Sequence, residues 1–259
     1  VNPLKQHLLD VCPEDYLKPP PLIGDLLPDA GLAVLIVPID KEAPKGRIIL
    51  PQVHAIRDCL DHRQAALVVN ETGYKHALDR LKALPDIAVC DSQVVEKMVE
   101  DTPDQMPCTT FSILFARSKG DLNELAKGAA ALHALKPGDR VLIAESCSHH
   151  PIEDDIGRVK IPRWLKDFVK GELSIDTCAG RDFPEKLEGY SIIIHCGGCM
   201  ITRREMLARI EKAKACAVPI TNYGLAVSVL QGVIRRTLSP FPSAHEAYLG
   251  ALRPSQNQQ

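Results

Sequence analysis

Short, mostly apolar runs alternate with segments of helical periodicity along most of the 259-residue chain. The apolar runs span residues 32–37, 66–69, 87–90, 141–146, 173–175, 191–195 and 217–220. The helical segments span residues 51–62, 74–84, 93–100, 122–135, 162–169, 202–215 and 225–238. A strand that is apolar on both faces is typical of a parallel sheet, in which helices connect successive strands and cover the sheet. The alternation therefore predicts an α/β fold.

A polar, proline-rich break divides this pattern at residues 101–107. We therefore predict two small parallel-sheet α/β domains, at 24–107 and 108–259. Residues 1–23, with a short helical patch and three successive prolines, are expected to form a linker. The first domain has only three predicted strands, so its sheet would have a thin core and two open edges. Pairing with a second copy of the chain is one way to cover such an edge.

The composition excludes several functional classes. The formal net charge is −2, which gives no basis for binding nucleic acid or an anionic membrane. We find neither a membrane-length apolar run nor a signal-peptide pattern. Nine cysteines in a chain expected to be cytoplasmic indicate metal binding or burial rather than a disulfide framework. Phosphate-binding and dinucleotide-binding glycine motifs are absent from the sequence.

Two cysteine clusters follow apolar runs. The first begins at Cys147 (Cys-Ser-His-His), and the second contains Cys196 and Cys199 (His-Cys-Gly-Gly-Cys). Ligand sites of open α/β sheets lie at the carboxyl ends of the strands, so cysteines that follow neighbouring strands can share one metal. Three thiolates suit an iron–sulfur cluster in which one iron remains open.

The residues alone leave several alternatives for this site. His149, His195 or the carboxylate of Asp154 are candidates for a fourth ligand, but a histidine beside a metal often only donates a hydrogen bond. A structural zinc site with three cysteines and one histidine is one alternative. A hydro-lyase that uses an open cluster iron as a Lewis acid is another. The single cysteines are expected to be packing residues: Cys59, Cys90, Cys178 and Cys216.

The complete motif resembles the signature of the HydF family of FeFe-hydrogenase maturation proteins. In this chain the Cys-x-His element at 147–149 is separated by forty-five residues from the His-Cys-x-x-Cys element at 195–199. Residues 219–224 (Pro-Ile-Thr-Asn-Tyr-Gly) also resemble the family, and residues 37–52 are similar to part of its dimerisation domain.

This resemblance implies a scaffold or carrier rather than an enzyme. Members of the family carry an N-terminal GTPase domain, which this sequence lacks, and residues 1–23 resemble the join to it. The resemblance implies a homodimer formed through the first domain. It also implies a di-iron precursor as transient cargo, made by the radical-SAM maturases HydE and HydG and handed to the apo FeFe-hydrogenase.

The resemblance also assigns the metal ligands. Cys147, Cys196 and Cys199 would ligate three irons of a 4Fe-4S cluster. The fourth iron would be open, or weakly held by His149, His195 or Asp154. An exchangeable position suits a carrier because the cargo has to leave.

Overall fold

The structure, a computed structural model, describes residues 2–11, 20–39, 46–146, 155–180 and 182–253. These residues form two four-stranded sheets in which all strand pairs are parallel. The predicted α/β fold with two small sheets is therefore confirmed.

The strands and helices occur in the order expected of connected parallel strands. The strands are β1 (Leu32–Ile36), β2 (Ala65–Val69), β3 (Ile87–Cys90), β4 (Cys108–Thr110), β5 (Arg140–Ala144), β6 (Ser174–Cys178), β7 (Ile192–His195) and β8 (Ile220–Asn222). The α-helices are α1 (Pro3–Val11), α2 (Leu50–Asp61), α3 (Tyr74–Asp79), α4 (Val95–Asp101), α5 (Phe111–Lys119), α6 (Leu122–Ala130), α7 (Ile161–Val169), α8 (Arg203–Ala215), α9 (Tyr223–Leu230), α10 (Ile234–Thr237) and α11 (Pro242–Leu252). Short 3₁₀ segments lie at Gly24–Leu26, Ser92–Val94 and Ala131–Ala134, and one π-helical turn lies at Ile156–Lys160.

The two sheets share one strand order. The first runs β2-β1-β3-β4 and the second β6-β5-β7-β8. Strands β3 and β7 are buried along their whole length, as are all residues but the first of β1 and β5. These central strands correspond to apolar runs in the sequence, because helices cover both faces of a parallel sheet.

The first sheet extends beyond the domain boundary that the sequence suggests. Strand β4 pairs with β3 and begins at Cys108, one residue after the proline-rich break. Helix α10 packs against β4, and Cys108 Sγ lies 3.8 Å from the Arg236 carbonyl oxygen. The prediction of two open edges is therefore wrong: within the described ranges, β4 is covered and β2 forms the exposed edge.

Other differences concern where elements begin and end. The helix expected over 225–238 is divided into α9 and α10, because Gly232 lies between them with a φ of +72°. The strand expected from residue 217 begins only at Ile220, since Ala217 adopts a positive φ of 53°. Helix α3 ends five residues earlier than expected, at Asp79.

Helices α5 and α9 connect the two sheets. Phe111, Leu114 and Phe115 of α5 are buried in a continuous apolar core that includes residues of both sheets. Asn222, at the end of β8, donates a hydrogen bond to the Ser112 carbonyl oxygen at 2.8 Å. None of the helices given above combines the length and apolar character that crossing a membrane requires.

Candidate metal centre

Strands β5 and β7 are neighbours, so the residues that lead into the first cysteine cluster end beside the second cluster, at one edge of the second sheet. They pair in parallel, with Ala144 opposite His195, so that both strands end at the same level. Cys196 follows β7 directly. Cys147 lies outside the described residues, as do the fourth-ligand candidates His149 and Asp154. The described range that contains β5 ends at Ser146, immediately before Cys147.

Ser146 contacts Cys196 across the two strands. Its backbone N–H donates to Cys196 Sγ at 3.1 Å, and its hydroxyl oxygen lies 3.2 Å from the same sulfur. The residue directly before Cys147 thus touches the first cysteine of the Cys-Gly-Gly-Cys turn. This contact agrees with the expectation that the two clusters converge, although Cys147 itself remains a prediction.

The surroundings of the two described cysteines affect their thiols differently. Burial raises the pKa of the Cys196 thiol, but the adjacent His195 ring and hydrogen bonds from Ser146 and the Gly198 backbone bring the pKa below its ordinary value. Burial and the nearby Cys196 sulfur raise the pKa of Cys199, while the Lys119 ammonium opposes them. The lowered pKa of Cys196 favours the thiolate, which is the form that binds metals.

The turn between the two cysteines requires a glycine at residue 198. Gly198 has a φ of +68°, in the left-handed region that side chains rarely adopt. A Cβ at this position would also lie 2.5 Å from the Met206 methyl carbon. The second glycine of the motif therefore gives the turn the shape that carries both sulfurs.

His195 is fully buried, and both of its ring nitrogens are hydrogen-bonded. Nδ1 lies 2.8 Å from the Cys196 carbonyl oxygen, and Nε2 lies 3.0 Å from Arg209 Nη1. A guanidinium can only donate, so Nε2 accepts and Nδ1 carries the proton. The ring thus accepts from Arg209 and donates to the Cys196 carbonyl oxygen. To ligate an iron, His195 would have to give up one of these hydrogen bonds.

Arg209, which holds His195, is itself buried in α8. Its guanidinium also donates to Glu205 Oε1 at 3.0 Å and to the Gly180 carbonyl oxygen at 2.8 Å, and it lies 5.0 Å from the centre of the Phe183 ring. Sequence reasoning missed Arg209, because it lies fourteen residues from His195 and belongs to no motif.

Three further polar residues lie at this edge of the sheet. Glu145 is buried and forms an ion pair with Arg158 at 2.9 Å. The buried Tyr223 hydroxyl is so close to Gly157 that a Cβ there would lie 2.2 Å from it. Tyr223 is therefore packed beside the site.

The described residues are compatible with a thiolate-bound metal group. Within them, no three His, Cys, Asp or Glu side chains are grouped as metal ligands, and the third cysteine of the motif lies outside them. What they provide is two cysteines on a tight turn at the end of a strand, one with a lowered pKa. The fold and site together define a two-sheet α/β protein with a cysteine-containing turn at the end of a central strand.

Comparison with known families shows which family of proteins the chain belongs to. The hydrogen maturase F dimerization domain matches residues 22–120, and the hydrogen maturase F tetramerization domain matches residues 123–240. The chain belongs to the hydrogen maturase F (HydF) family and is involved in hydrogenase maturation. The junction between the matched regions falls after α5, not before β4.

The other comparisons add no argument. No curated protein matches the chain. Among solved structures, a 5,10-methylenetetrahydrofolate dehydrogenase from the silkworm Bombyx mori has 10% sequence identity and a TM-score of 0.24, and the alignment covers 95% of this chain and 93% of that one. This similarity is too weak to bear on the fold or the function.

Proposed function

We propose that the chain is a scaffold that binds a 4Fe-4S cluster through Cys147, Cys196 and Cys199 and carries a di-iron precursor to the apo FeFe-hydrogenase. In this proposal the radical-SAM maturases HydE and HydG supply the precursor, and the chain itself catalyses no reaction. The main support is the contact of Ser146 with Cys196 Sγ, which puts the residue before Cys147 beside the Cys-Gly-Gly-Cys turn.

The residues of the site have separate tasks in this proposal. A bound cluster would supply one iron with an exchangeable position. The Ser146 N–H donates to the Cys196 sulfur, which is the kind of hydrogen bond that tunes cluster potential. His195 donates to the Cys196 carbonyl oxygen and so orients the turn. His149 and Asp154 remain candidates for the fourth position.

Anaerobic reconstitution with iron and sulfide tests the proposal. We expect about four irons and four sulfides per chain, the content of one 4Fe-4S cluster. The dithionite-reduced protein should give a low-temperature EPR signal that shifts when imidazole is added, since imidazole can occupy an open iron.

Other outcomes would favour the alternatives. One tightly bound zinc ion and no iron would indicate a structural zinc domain instead of a scaffold. Removing that zinc should then unfold the second sheet. Dehydration of a small hydroxy acid by the reconstituted protein would indicate a hydro-lyase. Either result would contradict the proposal.

Self-association is expected of a chain with dimerization and tetramerization domains, and the exposed edge β2 is the proposed site of dimer formation. Strand β2 consists of alanine, leucine and valine, and among the described residues β1 is its one strand partner. Val68 on β2 and Leu60 on the adjacent α2 are 44% and 55% exposed. An apolar edge strand flanked by exposed apolar side chains favours pairing with another copy.

Val68→Lys is expected to weaken self-association by more than about tenfold, because an ammonium would be buried at the paired edge without a partner. Leu84→Lys is the control, since Leu84 is 45% exposed and belongs to neither β2 nor α2. Sedimentation velocity over a range of concentrations measures the effect. Equal sedimentation of Val68→Lys and the wild-type chain would show that dimers form through another face.

A further inference from the structure

Helix α5 runs from the first sheet to the segment that follows β7 in the second sheet. This segment, residues 196–201, carries Cys196 and Cys199 and is called the cysteine turn below. It begins at the residue after β4, and the Thr110 side chain caps it by accepting from the Ile113 N–H at 3.2 Å. Its last residue is Lys119. A residue of the region that matches the dimerization domain therefore lies beside the candidate metal centre.

The Lys119 ammonium binds the cysteine turn through three backbone carbonyl oxygens. It donates to Gly198 at 3.0 Å, to Cys199 at 2.8 Å and to Ile201 at 2.7 Å. An ammonium has three N–H donors, so these contacts use its full capacity. A turn whose carbonyls converge on one cation has less freedom to change shape when its sulfurs are not bound to metal.

Lys119 also packs against residues of the region that matches the dimerization domain. Its ammonium lies 5.4 Å from the centre of the Phe115 ring, and Phe115 stacks on His54 of α2 at 5.8 Å. Arg203, four residues after Cys199, binds the same end of α5 by donating to the Ser118 and Gly120 carbonyl oxygens, each at 3.0 Å. A side chain at the end of α5 therefore binds the backbone of the cysteine turn, and a side chain just after that turn binds the backbone at the end of α5.

We infer that Lys119 is a positioning residue through which the dimerization region holds the cysteine turn in its metal-binding shape and places a positive charge beside the bound cluster. The inference rests on the proposed function, since it assumes that Cys196 and Cys199 ligate a cluster. The ammonium is bound to the backbone of Cys199 itself, at 2.8 Å from its carbonyl oxygen, and so lies beside that cysteine. A cation near an iron–sulfur cluster stabilises the reduced, more negative state and so raises the reduction potential.

The test compares Lys119→Met with Lys119→Arg and with Lys127→Met. Methionine keeps the length of the side chain but removes the charge and all three donors. Arginine keeps the charge, but its planar fork cannot reproduce the three ammonium hydrogen bonds. Lys127, on the neighbouring α6, is exposed and pairs only with Glu124 within its own helix among the described residues, so it controls for the loss of a lysine.

The first measurement is amide hydrogen exchange in the metal-free chain. In Lys119→Met, residues 198–201 are expected to exchange about tenfold faster or more, because a single hydrogen bond to a charged group has about that effect on an opening equilibrium. Lys119→Arg should be intermediate and Lys127→Met unchanged. Unchanged exchange at 198–201, or an increase spread evenly over the chain, would overturn the inference.

The second measurement is made on the reconstituted chain. Lys119→Met should lose iron to a chelator about tenfold faster and should have a lower reduction potential than the wild type, whereas Lys119→Arg should keep the wild-type potential. A wild-type potential in Lys119→Met would also overturn the inference. If the wild-type chain takes up no cluster, the proposed function fails, but exchange in the metal-free chain still decides whether Lys119 holds the turn.

Discussion

Replacing Cys196 with alanine is expected to abolish stable cluster binding and to reduce the iron content of the reconstituted chain from about four atoms to less than about one. Cys196 is the cysteine that Ser146 contacts, so its loss removes both a thiolate and the point where the two strand ends meet. Cys147→Ala and Cys199→Ala should have the same effect, since two thiolates do not retain a cluster of this kind.

Cys216→Ala is the matched control, because Cys216 lies at the far end of α8 and outside the motif. His195→Ala and His149→Ala are expected to change the EPR signal while the cluster remains bound. Iron and sulfide analysis after anaerobic desalting measures all six variants, and circular dichroism checks their fold. Full cluster occupancy in any of the three motif variants would remove that cysteine from the ligand set.

Gly128→Ala is expected to lower the free energy of unfolding by about 3 kcal/mol, which is large for the addition of one methyl group. Gly128 lies in α6, directly against β8. A Cβ at this position would be 1.9 Å from the Ile220 carbonyl oxygen and 2.5 Å from its carbon. Both atoms belong to the backbone of a buried strand and cannot rotate away, so the helix or the sheet would have to shift.

Gly250→Ala provides the comparison for this change. Gly250 also lies in a helix, α11, but a Cβ there has no other atom within 4 Å. Alanine is the better helix former, so this variant should be more stable than the wild type by up to about 1 kcal/mol. Chemical denaturation followed by circular dichroism measures both. Equal stability of Gly128→Ala and the wild type would mean that α6 can move away from β8 at no cost.

The sequence predicted the central strands well for a physical reason. Strands β1, β3, β5 and β7 are covered on both faces, and their residues are therefore almost all apolar. Strand β4 was missed because it has only three residues, two of which are threonines, directly after a proline. Its place in the sheet depends on pairing with β3 and on cover from α10, and neither contact leaves a local pattern.

The site was predictable only in part, and for a similar reason. The spacing of the motif predicted the three cysteines as ligands, and the strand order then brought Ser146 to Cys196. Lys119 and Arg209 were missed, since each acts on residues far away in the chain. Lys119 reaches carbonyls 79 to 82 positions further on, and any residue type can supply a carbonyl. The sequence also gave no indication that both nitrogens of His195 are engaged.

The repeated strand order has a consequence for symmetry. Strand β2 in the first sheet and strand β6 in the second occupy the same edge position in the strand order. The two strands also have the same pattern of exposed and half-buried residues. An edge strand that pairs with its own copy does so about a two-fold axis. The edge is then paired in both chains and cannot accept a further strand. A chain with two such edges can close at four copies with dihedral symmetry. Strand β2 is wholly apolar, whereas β6 carries Asp176, bound to Arg140 and Tyr190, so the two-fold axis at β2 should be the tighter one.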